Sequence, residues 1–155
     1  MIECKSCKHK YEFKERSCPL CRTPMNPSAE EILAARRALD RAISSKDFEY
    51  VTMYRAFLAD VGDVDSCREY AKLLEKSASA ENKSIDLAMN YYKRAAENND
   101  PYSAYKYSRL VERTSSVAAE FWLKYALTKL MVAILKGAAL TNGETLLQAL
   151  NLVEK

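Results

Sequence analysis

A chain of 155 residues, 48% hydrophobic and 29% charged, has a globular rather than a disordered composition, and its length suits one domain or a small module joined to a larger one. Three glycines and four prolines leave room for few tight turns and favour helix. The formal charge of +3 falls wholly on residues 1–25, where six lysines and arginines face three glutamates, while residues 26–155 hold 18 basic and 18 acidic groups. Charge alone therefore does not mark the chain as a nucleic-acid binder.

The first element is a cysteine knot. Four of the five cysteines lie in "CKSCKHKYEFKERSCPLC", residues 4–21. Nothing at the N-terminus reads as a signal peptide, and no apolar run approaches the ~20 residues of a membrane span. A cytoplasmic protein without membrane insertion is expected. In that reducing setting, Cys-x-x-Cys pairs mean metal or redox chemistry rather than disulfides. Two residues between cysteines let a turn aim both sulfurs at one ion, and the pairs Cys4/Cys7 and Cys18/Cys21 complete a tetrahedral four-sulfur set. Four thiolates close the site, so the zinc expected there is structural, not catalytic. Tyr11 and Phe13 alternate with charged residues and predict a short hairpin with one apolar face, turning at Lys14–Ser17. His9 lies outside both knuckles and Cys67 stands alone in a helical segment, so neither is expected to bind the metal.

These residues resemble a zinc ribbon over 3–24, with a rubredoxin-like knuckle at Cys18-Pro19-Leu20-Cys21. Lys8 and Arg22 stand where that pattern usually has glycine. A piece of about 25 residues buries too little apolar surface to fold alone, so the metal is expected to supply its folding energy. The domains expected are a ribbon at 1–25 and a helical domain at 26–155. The ribbon is read as appended, so the helices are expected to hold without the metal.

Beyond the linker "TPMNPS" (23–28), the chain repeats itself. "GDVDSCREYAKLLE" (62–75) lies over "NDPYSAYKYSRLVE" (99–112) at an offset of 37, and the same offset aligns "DFEYVTMYRAFLADVGD" (47–63) with "SIDLAMNYYKRAAENND" (84–100). "TSSVAAEFWLKYA" (114–126) follows at a shorter spacing. Asp47, Ser84 and Thr114 stand where helix N-caps belong. Repeats are expected at about 26–61, 63–98 and 100–128. Closing helices are expected over 130–155, with the apolar stretch "LMVAILKGAAL" (130–140) buried. Small residues at Ala71, Ala95, Ala96, Ser108 and Ala126 should let paired helices approach closely, with aromatics filling the gaps.

The pattern Ala88-x-x-Tyr91-Tyr92-x-x-Ala95-Ala96-Glu97-x-Asn99-Asp100 resembles Sel-one-like repeats, relatives of tetratricopeptide repeats, and the resemblance covers about 28–128. It implies a mostly α fold: an α–α superhelix, or helix-pair repeat solenoid, behind a small Cys4 zinc ribbon. It also implies a concave groove lined here by Asp65, Arg68, Lys72 and Glu75 and by Tyr102, Tyr105, Arg109 and Glu112. Arg68, Lys72, Tyr105 and Arg109 have no evident packing duty in the sequence and are the candidate partner-binding residues.

With one histidine, no P-loop and no glycine-rich dinucleotide turn, no nucleophile–base pair can be assembled. The expected function is a non-catalytic adaptor or scaffold that binds a protein or peptide, with structural zinc as cofactor. The alternative is a nucleic-acid-associated protein that makes contact through the basic ribbon.

Overall fold

The structure, a computed structural model, describes residues 1–12, 15–22, 24–77 and 83–135. Those residues form a small two-stranded sheet followed by six helices: β1 (Ile2–Glu3), β2 (Lys10–Tyr11), α1 (Ala29–Ser44), α2 (Phe48–Asp60), α3 (Val64–Ser77), α4 (Lys83–Glu97), α5 (Pro101–Val111) and α6 (Ser116–Leu135). The chain divides into two compact units, Met1–Leu73 and Leu74–Lys155.

In the first unit the strands are antiparallel, with Ile2 opposite Tyr11 and Glu3 opposite Lys10. The hairpin of β1 and β2 therefore encloses the first cysteine knuckle. The expected partner of Tyr11 on an apolar face, Phe13, lies outside the described residues, as does Lys14 of the expected turn. Ile2, Cys4, Tyr11 and Cys18 are buried in one cluster with Ala35 and Leu39 of α1 and Phe57 and Leu58 of α2. Each large apolar side chain so buried contributes about 1.5–3 kcal/mol. The ribbon and the first two helices thus share a core. The expectation of a ribbon that leaves all the helices independent is revised for α1 and α2, because the ribbon is too small to cover its own apolar face.

The start of α1 is tied back to the sheet. Ser28 and Glu31 form a capping box: the Ser28 hydroxyl accepts from the Glu31 N–H, and the Glu31 carboxylate accepts from the Ser28 N–H at 2.7 Å. The other Glu31 oxygen accepts from the N–H of Glu3 in β1 at 2.8 Å. One carboxylate therefore joins strand and helix.

Three interhelical loops use the same chemistry. Lys46, Gly62 and Asn99 each adopt a left-handed backbone, with φ of 57°, 95° and 70°. Each is followed by an aspartate whose N–H bonds the carbonyl five residues earlier: Asp47 to Ala42, Asp63 to Leu58 and Asp100 to Ala95. This Schellman-type bond satisfies an orphan carbonyl at the end of the preceding helix. The same aspartates then cap the next helix, their carboxylates accepting from the N–H groups of Tyr50, Ser66 and Ser103. Gly62-Asp63 and Asn99-Asp100, 37 residues apart, therefore share one hydrogen-bond pattern. The Asp47 cap is as expected. At α6 the cap is Ser115, which accepts from the Ala118 N–H, while the Thr114 hydroxyl donates to the Val111 carbonyl. Ser84 lies inside α4, which starts at Lys83.

In the second unit, Ala95 and Ala96 of α4, Ala104 and Ser108 of α5 and Ala126 of α6 are buried. Tyr105, Trp122 and Tyr125 pack against the cluster of Ala96, Ala104 and Ala126. Tyr107 meets Trp122 edge-on at 5.4 Å, a favourable arrangement of ring quadrupoles. Small residues do face one another across these helices, with aromatics around them. α6 runs unbroken from Ser116 to Leu135, so residues 130–135 continue that helix and do not open a closing one. Leu130 is buried, but Met131 and Val132 are exposed, contrary to the expectation for this stretch. The remainder of the expected closing helices lies outside the described residues.

Candidate metal centre

Each half of the centre is built from a turn. Cys4 and Cys7 flank one in which the Lys8 N–H donates to the Cys4 carbonyl at 2.8 Å, and Cys18 and Cys21 flank another in which the Arg22 N–H donates to the Cys18 carbonyl at 2.8 Å. Lys8 and Arg22 take φ of 61° and 57°, the left-handed region that glycine enters freely and other residues at a cost. The turn geometry is therefore that of a ribbon knuckle, although both glycines are replaced.

The four sulfurs converge, all lying within 4.8 Å of one another. Cys4 Sγ is 3.4 Å from Cys21 Sγ, and Cys7 Sγ is 3.5 Å from Cys18 Sγ, so each short approach joins one knuckle to the other. A tetrahedron with metal–sulfur bonds of about 2.3 Å has sulfur–sulfur edges of about 3.8 Å. The donor set therefore fits a tetrahedral ion in number, chemistry and spacing. Cys4 and Cys18, one from each knuckle, are buried in the core shared with α1 and α2, whereas Cys21 is exposed and Cys7 half-buried.

The electrostatics ask for a cation. The backbone N–H of Cys7, helped by that of Ser6, outweighs burial and holds the Cys4 thiol below its ordinary range. The His9 N–H acts in the same sense on Cys7, but burial and the crowding sulfurs of Cys21, Cys18 and Cys4 push that thiol up to about 12. Four thiols this close cannot all ionise beside one another, and a divalent ion in their midst reverses that balance. His9 is exposed and is not among the converging groups. Cys67 is buried in α3 and its Sγ donates to the Ala59 carbonyl at 3.4 Å, which makes it a small core residue.

The four expected groove residues sit in different settings. In the first unit, Arg68 is only 12% exposed and pairs with Asp65 at 2.7 Å and Glu69 at 3.2 Å, and Lys72 also reaches Glu69, at 2.9 Å. In the second unit, Tyr105 packs on the alanine cluster, and Arg109 is 51% exposed beside Glu112. All four thus have packing or ion-pair duties that the sequence did not reveal, Arg109 with the largest exposed share. The acidic members are engaged as well: Glu75 accepts from Lys106 at 2.8 Å and from the Tyr92 hydroxyl at 2.9 Å. Glu31 was missed, although Ser28-x-x-Glu31 is a legible capping box.

Comparison with protein-family models, with curated proteins and with solved structures finds no match to the chain. No helix among the described residues is long and apolar enough to cross a membrane.

Proposed function

We propose that Cys4, Cys7, Cys18 and Cys21 hold one structural zinc, and that the chain is a cytoplasmic, non-catalytic adaptor that binds a partner protein through its helix pairs. The observation that carries the zinc reading is the closed set of four sulfurs, which leaves no position for a substrate. Bound there, zinc would join the two knuckles and take up the thiolate charge. Its two buried ligands would carry that order into the core beneath. The test is elemental analysis of the purified protein. One zinc per chain is expected, lost in Cys18→Ser and kept in Cys67→Ser; full occupancy after Cys18→Ser would overturn the ligand set.

The adaptor reading draws on the loop chemistry shared by α2–α3 and α4–α5 at the offset of 37. Together with the sequence self-similarity at that offset, it supports reading the two pairs as copies of one unit, as in the helix-pair repeats of an α–α solenoid, a class of fold used for binding more than for chemistry. Of the four groove candidates, Arg109 is the one more than half exposed. Arg109→Ala is expected to weaken capture of the native partner while changing stability by less than about 0.5 kcal/mol. Arg68→Ala is expected to lower stability as well, since it removes its ion pairs with Asp65 and Glu69. A melting curve beside a pulldown separates the two, and normal capture by Arg109→Ala would place recognition elsewhere. A second reading rests on Lys5, Lys8, Lys10 and Arg22, all exposed on the ribbon. They suit contact with a nucleic-acid backbone, whose signature would be a steep loss of binding with salt.

A further inference from the structure

The first unit carries another place suited to binding. A cleft of about 810 Å³ opens between Glu12 and Arg16 near the N-terminus, the face of α2 from Glu49 to Asp60, and Tyr70 of α3. That volume lies in the range of about 300–1,000 Å³ typical of ligand clefts. Its apolar lining comes from Met53, Ala56 and the buried Phe57 of α2. Its described lining carries three carboxylates, of Glu12, Glu49 and Asp60, against the single guanidinium of Arg16. Two phenol rings, Tyr50 and Tyr70, stand among them. Burial pushes the Tyr70 hydroxyl up, so the ring stays neutral.

Carboxylates, aromatic faces and a thioether around one hollow favour a cation with an apolar stem. The charge finds its counter-ions, the rings attract it further, and the stem packs on the apolar part of the lining. The chain itself provides a second sign. Arg16 Nε lies 3.2 Å from Asp60 Oδ2, with the arginine side chain 61% exposed and the aspartate 20%. A mostly solvated guanidinium therefore already sits on the Asp60 carboxylate at the cleft.

We propose that this cleft docks an arginine-bearing extended segment of a partner protein, whose guanidinium takes the place of Arg16 at Asp60 while its stem lies along Met53, Tyr50 and Tyr70. The proposal rests on the adaptor reading and gives it a recognition element whose charge preference is opposite to that of Arg109. Arginine suits the position better than lysine, because its planar group is weakly hydrated and both stacks on rings and forks onto a carboxylate.

The test uses the zinc-loaded full chain and a fluorescein-labelled, end-capped glycine–serine peptide carrying two arginines. The control is the same peptide with citrulline, the uncharged isostere, in their place. Fluorescence anisotropy should show saturable binding of the arginine peptide, at least tenfold weaker with citrulline. Glu12→Gln with Glu49→Gln should weaken binding several-fold. Arg16→Gln should strengthen it several-fold, because it removes the internal competitor, whereas Arg37→Gln, the same charge change away from the cleft lining, should alter it less than twofold. Unchanged melting curves for these surface variants accompany the expected result. Equal binding of the citrulline peptide, no effect of the glutamate pair, or equal effects of Arg16→Gln and Arg37→Gln would each overturn the cleft. If the arginine peptide does not bind while Arg109→Ala still loses the native partner, the cleft fails and the adaptor reading stands.

Discussion

At the scale of single residues, the four sulfurs were legible because two knuckles of fixed spacing leave little freedom, and they converge within 4.8 Å. What stood at the positions after them was less so. Lys8 and Arg22 occupy left-handed backbone at a cost of about 1–2 kcal/mol for a side chain that carries a Cβ. Glycine would relieve that cost and give back part of it as unfolded-chain entropy. Lys8→Gly and Arg22→Gly are each expected to stabilise the metal-loaded chain by about 0.5–1 kcal/mol, read by denaturant unfolding, with metal stoichiometry unchanged. A loss of stability would mean that these side chains support the knuckles. The cap of α6 shows a different limit. "TSS" (114–116) offers three hydroxyls in a row, and choosing Ser115 over Thr114 requires the backbone path at the end of α5.

At the scale of elements, self-comparison located the paired loops but not the third copy of their chemistry. Lys46-Asp47 lies 16 residues before Gly62-Asp63, outside the 37-residue register, and shares the loop because it ends a helix in the same way. The unbroken α6 was hidden by the opposite error. A repeat register invites a break near 130, yet "LTKLMVAIL" (127–135) contains no glycine or proline to make one. Glu31 gives a prediction at this scale. Burial works against its ionised form, but hydrogen bonds from the Ser28 and Glu3 N–H groups win and hold the carboxyl below the usual range. Its stabilising effect is therefore complete above the unfolded-state value of about 4.3 and is lost as pH falls through the lower folded value. Glu31→Ala should cost about 1 kcal/mol at pH 7. The gap to the parent protein, measured by urea unfolding at stepped pH, should narrow below pH 4. A gap that persists at the acid end would mean that packing, and not the carboxylate, joins α1 to β1.

At the scale of the whole molecule, the mostly helical character and the small N-terminal cysteine cluster were both present in the sequence, through scarce glycine, self-similar apolar patterning and paired knuckles. The core that joins ribbon to helix was not. Ile2, Tyr11, Leu39 and Leu58 are ordinary apolar residues at positions far apart in the chain, and no local pattern says that they meet. Their meeting sets what a metal held by the four sulfurs would do. Two of the four converging cysteines, Cys4 and Cys18, lie in the cluster that holds Ala35, Leu39, Phe57 and Leu58, whereas the buried alanine cluster of the second unit is formed by α4, α5 and α6. Losing the metal should therefore loosen α1 and α2 along with the ribbon and leave α4–α6 as they were. Hydrogen exchange followed segment by segment, on the zinc-loaded chain before and after chelation, tests this most directly. Protection is expected to fall over residues 1–25, 29–44 and 48–60 and to remain unchanged over 83–135. A loss confined to residues 1–25, or one spread evenly along the chain, would contradict a metal centre built into the first helical core.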